Sequence, residues 1–537
     1  METALYNVIM LRWNGYGEET ITYPLSDSAK SYFSKILGGP KSPPDVERSA
    51  VSVPPPCHFS KTHALLQFDD EIRLRHARGQ SFPDLAAKRF GQFSRFPDAV
   101  AFPESDSDVN ELLVWAKSAS VQVIPFGGGT SVVGGINPMA RDVDDRPVLT
   151  ISLARLNALR DLDRTSRLAT FGAGTQGPYV EAQLRAYGFT LGHYPQSFEH
   201  SSLGGWIAAR SSGQQSLGYG RIESLFAGGI IETPSGRITL PTLPASAAGP
   251  DLRQLILGSE GRLGIITEAT VRVSPAPEIE SFYGVMFPDW STGIDAGRQA
   301  IQLDIPLSMM RLSNPTETEA FLNMPAHQNQ VELLRSLLRW KNFTSESCLM
   351  VFGVSGSKAR TKFARNAMAS LTRQQQGLWL TELVGRQWAK TRFRSAYLRD
   401  TLWEHGYAVD TLETAVSWNM IPKASQVILH ALARAGSPVW PMVHLSHFYH
   451  DGASLYFTFF FRVGATLEET LLRWRALKEA GSKAVMSVSG TITHQHGVGT
   501  DHRLYLVQEK GALGMEVLKT VQTFLDPMGM MNPGKLM

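Results

Sequence analysis

Histidine and glycine are the residues whose types and spacing in this 537-residue chain could do chemistry. Six histidines, His444, His447, His450, His494, His496 and His502, fall late in the sequence. In an extended strand, His494 and His496 would share one face, a geometry that can hold a metal. No cysteine accompanies them, and Asp451 and Asp501 are the only near carboxylates, so no metal is expected. Four glycine-rich loops lie upstream. The first, Pro125-Phe126-Gly127-Gly128-Gly129-Thr130-Ser131, follows the strand-like run VQVI. Its glycines let backbone amides converge on an anion, although a plain glycine turn reads the same way. The second, Gly172-Ala173-Gly174-Thr175-Gln176-Gly177, matches the nicotinamide-dinucleotide fingerprint and opens a helical pattern. No strand ending in an acidic ribose-binding residue follows it. The third runs from Pro195 to Trp206 and the fourth from Gly258 to Glu268. A long dinucleotide laid through a domain needs several such close backbone approaches; a nicotinamide cofactor at one helix end does not.

Elements that would position these loops are legible in the pattern. Short apolar runs alternate with glycine turns and helical stretches between residues 96 and 276, as in VQVIPF, RLATF, GGIIET and GIITEATVRV, which indicates a mixed α/β or α+β domain. Pro275 and Pro277 mark its end. Residues 277–485 carry longer helical patterns, Gln330 to Lys341, Lys358 to Gln374, Lys423 to Ala435 and Leu467 to Ala480, separated by strand-like runs. A helix-covered antiparallel sheet is the expected second domain. Residues 1–95 read as an accessory helical segment interrupted by a proline-rich stretch, Pro40 to Pro56. Residues 486–537 add a histidine-containing turn and an amphipathic helix, Met515 to Phe524, that complete the site.

Composition narrows the classes. Hydrophobic residues make up 43% and charged residues 19%, a mixture that buries a core. Lys and Arg number 52 against 49 Asp and Glu, so no global field recruits nucleic acid or anionic membrane. Cys57 and Cys348 make no disulfide framework. The densest apolar run, Leu455 to Phe461, reads as a buried strand rather than a membrane span. With no signal-like start and with Lys535-Leu536-Met537 at the end, the expectation is a cytoplasmic protein.

The loops PFGGGTS, SFEHSSLGGW and GSEGRLGIITEA, in this order, resemble the FAD domain of the vanillyl-alcohol oxidase superfamily. Within it, the chain resembles the alkyldihydroxyacetonephosphate synthase family. Met10 to Gly17, Arg95 to Pro103, Pro306 to Asn314, Thr411 to Trp418 and Leu455 to Phe459 carry that resemblance outside the loops. It implies an α+β fold: a two-part FAD-binding domain, a cap domain with an antiparallel sheet, and an N-terminal helical segment. It implies FAD held without a covalent bond, because the first loop contains neither His nor Cys and His200 is the one candidate nearby. The implied cofactor contacts are Pro125, Gly127, Gly128, Gly129, Thr130 and Ser131, then Pro195, Ser197, Ser201, Ser202, Gly204, Gly205 and Trp206, and finally Glu260, Gly261, Gly264, Ile265 and Ile266.

The implied reaction exchanges the acyl chain of acyl-dihydroxyacetone phosphate for a fatty alcohol, with flavin N5 accepting the substrate carbon and no net redox change. Partners would then be a lipid-like phosphate and a fatty alcohol, with peripheral membrane contact at most and a homodimer. Tyr456 matches the family's catalytic tyrosine. On residue type alone it is a core aromatic beside Phe457, Phe459 and Phe460, and as a base it needs cations to hold a phenolate. Arg311 matches an arginine facing the flavin and Arg399 one near the substrate, with Asp400 adjacent as a possible salt partner. His494 and His496 are implied in phosphate binding and proton transfer. The family expects three consecutive histidines where this chain has Gln495 in the middle, and Thr500-Asp501-His502-Arg503 replaces a Lys-Leu-Arg-type sequence. An FAD-linked dehydrogenase or oxidase of a 2-hydroxy acid or polyol phosphate is the alternative reading.

Overall fold

Four strands make the first sheet, in the order Leu66–Gln67, Ala99–Ala101, Val148–Ser152, Gln122–Phe126. The last three run parallel and the first antiparallel. Every residue of Val148–Ser152 is buried, as parallel strands covered on both faces require. The helix Asp106–Ala119 starts where Ser105 and Asp108 cap each other reciprocally, and it lays Val109, Leu112, Leu113 and Ala116 on the core. A five-stranded antiparallel sheet follows, in the order Leu159–Asp163, Leu168–Gly172, Ile265–Arg272, Phe226–Thr233, Gly236–Leu240. The computed structural model from which these elements are read describes residues 11–323, 328–380, 382–436 and 438–537. Met10, the first residue of one matching segment, lies outside the described residues.

The cap is a seven-stranded antiparallel sheet, ordered Leu378–Leu380, Ile279–Phe287, Cys348–Gly356, Met309–Ser313, Val439–Phe448, Gly452–Arg462, Tyr407–Ser417. Four helices cover one face: Trp290–Gln302, Lys358–Gln374, Ile421–Arg434 and Leu467–Ser487. The apolar run Leu455 to Phe461 sits inside the strand Gly452–Arg462, and its two-residue period decides the fate of Tyr456. Leu455, Phe457, Phe459 and Phe461 enter the helix-covered core. Tyr456, Thr458 and Phe460 point the other way, toward the FAD-binding half.

The N-terminal segment is less accessory than its composition suggests. Its helix, Asp27–Leu37, packs Ala29, Phe33 and Leu37 against Tyr407, Trp440 and Phe460 of the cap. A buried ion pair, Arg89 to Asp400 at 2.7 Å, and a bond from the Tyr16 amide to Asp400 tie it further to the cap. The proline-rich stretch holds only a short 3₁₀ turn, Arg48–Ala50. At the other end, the expected amphipathic helix is the second part of a longer one, Arg503–Leu525, broken where Gly511 takes φ 71°. The tail then returns to the first sheet: Val123 donates to the Met530 carbonyl and accepts from the Asn532 amide. Among the described residues, no helix is long and apolar enough to cross a membrane.

Candidate active site

All of the cofactor contacts implied by the resemblance, from Pro125 to Ile266, line one cavity of about 670 Å³ between the FAD-binding half and the open face of the cap sheet. The two first-named loops pack backbone to backbone. A Cβ on Gly128 would overlap the His200 carbonyl, and one on Gly127 would overlap Ser202 Oγ. In the first loop, the amides of Gly128, Gly129 and Thr130 have no hydrogen-bond partner among the described residues, so several donors converge on the cavity. The 172–177 loop is the opposite case. The Gly172 amide donates to Ala158, Gly174 to Leu156, Thr175 to Gly172 and Gly177 to Ser201. The space that a Cβ would take at Gly172 or Gly174 is filled by the carbonyls of Leu156 and Leu153. Its glycines serve internal packing, and the amides of all three, with those of Ala173 and Thr175, are taken within the protein. The donor set and the shape therefore fit FAD in the first cavity.

Several implied contacts are already engaged within the protein. Trp206 Nε1 donates to Ser201 Oγ at 2.7 Å, and Ser201 Oγ donates to the Ser197 carbonyl. Ser202 Oγ caps the helix Leu203–Ala209 by accepting from the Gly205 amide. The Glu260 carboxylate accepts the amides of Val498 and Gly499, so the fourth loop clasps the C-terminal tail. Burial outweighs those amides and raises Glu260 to about 7. His200 does not line the cavity; its ring stands edge-on to Tyr16, with centroids 5.4 Å apart.

The reactive end is built on the cap sheet. In the ladder Tyr456 is opposite His444 on one side and Glu413 on the other. Its ring stacks on His444 at 5.0 Å and meets His496 edge-on at 5.6 Å; Oη donates to Thr411 Oγ1 at 3.3 Å. Arg311 reaches the same end from Met309–Ser313. Its Nη2 donates to Glu317 Oε1 at 3.0 Å and lies 3.2 Å from His444 Nδ1, which is 3.0 Å from the same carboxylate oxygen. Burial alone would raise Glu317, but His444 and Arg311 outweigh it and hold the carboxyl at about 2. His444 is pushed down by burial and by Arg311. As a base Tyr456 would need cations to hold a phenolate, and the site supplies little of that. Burial first, and Glu413 second, raise the phenol above its ordinary value, and Arg311 offsets this only in part. Tyr456 thus carries its proton in this site.

Not every implied catalytic residue is at the cavity wall. Tyr456, Arg311, His496 and Arg399 line it; His494 does not. His494 Nε2 is engaged at 2.6 Å by both Arg221 Nη1 and Tyr449 Oη, and its ring stacks behind His447. The strand geometry expected of His494 and His496 is absent because their segment is a bent loop, whose amides at Gln495 and His496 donate to Glu413 Oε1, each at 2.7 Å. Asp400 pairs with Arg89, leaving Arg399 free of it. Arg399 Nη1 donates to the Gln80 carbonyl at 2.7 Å, and its buried Nη2 has no partner. Glu317 and Glu413 were not singled out from sequence, and His447 only as one of six late histidines. Glu317 had one signal, a carboxylate in the first turn of a helix opened by Asn314-Pro315, two residues after a strand that carries a candidate arginine.

An FAD-binding half of one mainly parallel and one antiparallel sheet, a helix-backed antiparallel cap and a cavity between them define a flavoprotein of the FAD-linked oxidase type. Residues 97–240 match the family model of an FAD binding domain, and residues 276–536 that of the FAD linked oxidases, C-terminal domain. Within that class, the chain belongs to the alkyldihydroxyacetonephosphate synthase family. It is 32% identical over 480 residues to the alkyldihydroxyacetonephosphate synthase of Dictyostelium discoideum, covering 87% of this chain and 78% of that one. The corresponding protein of Trypanosoma brucei brucei is 31% identical over 487 residues, with 88% and 78% covered. A solved alkyldihydroxyacetonephosphate synthase structure superposes with a TM-score of 0.82 at 28% identity, covering 97% of this chain and 98% of that one.

Proposed function

We propose that this protein exchanges the acyl group of an acyl-dihydroxyacetone phosphate for a fatty alcohol, giving an ether. One observation carries the reading. The polar end formed by Tyr456, Arg311 and His496 is continuous, in a single cavity, with an apolar wall built by Phe321, Leu349, Val351, Met442 and Phe460. Such a wall suits alkyl chains, and about 0.8 kcal/mol per buried methylene rewards their entry. When bound, FAD supplies an electron-accepting ring beside the substrate carbon.

The side chains divide the remaining work. Arg311, held by Glu317, presents a fixed positive charge, and its Nε and Nη1 have no partner among the described residues. Arg399 offers the unpartnered Nη2 to the substrate phosphate. Tyr456 Oη holds a proton beside the imidazole of His496, so the pair can take a proton from the substrate carbon and return one. In the balance, one ester carbon–oxygen bond breaks and one ether carbon–oxygen bond forms. The carboxylic acid leaves ionised near pH 7, so each turnover releases one proton.

FAD is held without a covalent bond in this reading, since no His or Cys stands in the loop from Pro125 to Ser131. A homodimer belongs to the proposal through the family resemblance alone, and peripheral membrane contact and a cytoplasmic location are carried into it from the sequence reading; sedimentation and liposome flotation test the first two. The reaction itself is tested by anaerobic mixing of the FAD-loaded protein with acyl-dihydroxyacetone phosphate and hexadecanol. Ether product without lasting flavin bleaching is expected. Bleaching by lactate, glycolate or glycerol phosphate, with no ether formed, would overturn the proposal in favour of a dehydrogenase.

A further inference from the structure

A second cavity, of about 380 Å³, lies on the far side of His447 from the catalytic cavity, at the junction of the cap with the segment Ser216 to Arg221. His447 lines both cavities. We propose that His447 is the partition through which the proton released in each turnover leaves the catalytic cavity for solvent. This rests on the reaction proposed above, which produces one proton per ether formed.

The strand spends a structural irregularity on this placement. His444 and His447 are three residues apart, so a regular strand would send them to opposite faces. The ladder with Gly452–Arg462 shifts register between Leu445 and His447, and this bulge turns His447 onto the same cavity as His444. On the catalytic side, His447 Nδ1 lies 3.3 Å from Ser212 Oγ, and both Ser212 and Gln495 line that cavity. On the other side stand Tyr449 and Arg221, which line the second cavity and hold His494 behind the ring. At the outer wall, His450 Nε2 meets Asp304 Oδ1 at 3.1 Å, and these side chains are 66% and 81% exposed. The acceptors along this route are Ser212, the His447 ring and, across the second cavity, the exposed His450–Asp304 pair, with solvent joining them.

The ring suits passage rather than storage. The charged or titratable groups that face it are Arg221, His193, His444 and His494. Burial first, and Arg221 second, bring His447 down to about 3, so an imidazolium there is short-lived. A neutral imidazole accepts a proton on one nitrogen and gives one up from the other, with no net change in the ring after it turns over. No carboxylate among its facing groups holds the proton back.

His447→Gln keeps the polar contacts and removes the relay. With FAD bound and in dilute buffer, we expect wild-type flavin absorbance and melting temperature, a kcat lowered at least ~10-fold, an increased solvent isotope effect, and recovery on adding imidazole, which the second cavity is large enough to admit. A wild-type kcat, or a loss confined to KM and indifferent to imidazole, would overturn the relay. Should His447→Gln fail to hold flavin, the exposed double variant Asp304→Asn/His450→Gln decides: a rate that falls only in dilute buffer supports the route, and a buffer-independent wild-type rate refutes it. If the wild-type protein forms no ether, the reaction proposed above falls separately. The relay is then judged by photoreduction of the bound flavin with EDTA as electron donor, where two electrons and one proton enter the ring. A slower rise of the protonated reduced flavin in His447→Gln, followed by its absorbance in H2O and in D2O, supports the relay; equal rates overturn it.

Discussion

Glu260→Gln tests whether a buried carboxyl fastens the C-terminal tail to the FAD-binding half. Glu260 sits at φ 50° in the turn between Ser259 and Gly261, and its two oxygens accept the amides of Val498 and Gly499. Burial raises it from an ordinary 4.5 to about 7, with the amides and Lys535 pulling the other way. Because the folded carboxyl holds its proton up to about pH 7 and the unfolded one only to about 4.5, the unfolded state binds fewer protons between these values. Folding stability from this group is therefore greatest at low pH and declines as pH rises. The gap of roughly 2.5 units at 1.36 kcal/mol each makes the decline about 3 kcal/mol, complete near pH 7. The variant cannot titrate here, whereas Asp501 and the other groups titrate in both proteins. Urea unfolding of the two proteins at pH 5, 6, 7 and 8, with FAD saturating, should show wild-type stability falling relative to Glu260→Gln by about 2 to 3 kcal/mol over the series. Two parallel curves would refute the reasoning, because they would mean that the carboxyl is solvated and does not clasp the tail.

Three other outcomes are expected. Gly128→Ala forces a Cβ onto the His200 carbonyl, an overpacking of about 1–3 kcal/mol between the two loops that cradle the cofactor; purified protein should fold by circular dichroism but carry less flavin. Tyr456→Phe gives up one long hydrogen bond to Thr411, so its melting curve should match the wild type to within about 1 kcal/mol while the exchange rate falls ~10²-fold or more. Denaturation in acid should release free FAD into the supernatant; a yellow precipitate would show a covalent bond, and mass spectrometry of peptides containing His444, His447 and His496, the histidines that line the cavity, would locate it.

What the sequence disclosed and what it hid follow from different physics. The helix Lys358–Gln374 and the strands of the 96–276 region were legible because local periodicity and capping residues specify them. The glycine loops were legible for a related reason: a run of residues without Cβ marks a close approach, whatever approaches. What approaches is not local. The 127–131 and 172–177 loops look alike on paper, yet one leaves its amides open and the other closes them on Ala158, Leu156, Gly172 and Ser201. Partners drawn from distant segments were likewise hidden. Arg311 could be named from the family resemblance, but the His444 that shares its carboxylate is 133 residues away. The bulge that turns His447 inward leaves no mark in hydrophobic alternation, since it breaks that alternation at one residue only.

The loop from His494 to Gly499 shows why the chain regions, taken singly, do not make the site. As an isolated segment it reads as two histidines on a strand, and a strand would have paired them. Instead two buried carboxylates take its backbone amides, Glu413 of the cap at Gln495 and His496, and Glu260 of the FAD-binding half at Val498 and Gly499. Each carboxyl group accepts two backbone amides, and Glu413 also accepts the Thr493 hydroxyl at 3.3 Å, bonds that offset the cost of burial. Between the two clamps the backbone bends, so that His496 comes against Tyr456 while His494 is drawn back to Arg221 and Tyr449. Two histidines separated by one residue thereby acquire different neighbours, one at the cavity wall and one behind it. The position of His496 over the phenol is set by a cap strand and by a glycine turn of the other half at once. A displacement of either half relative to the other would then move the imidazole away from Tyr456 before it disturbed either core.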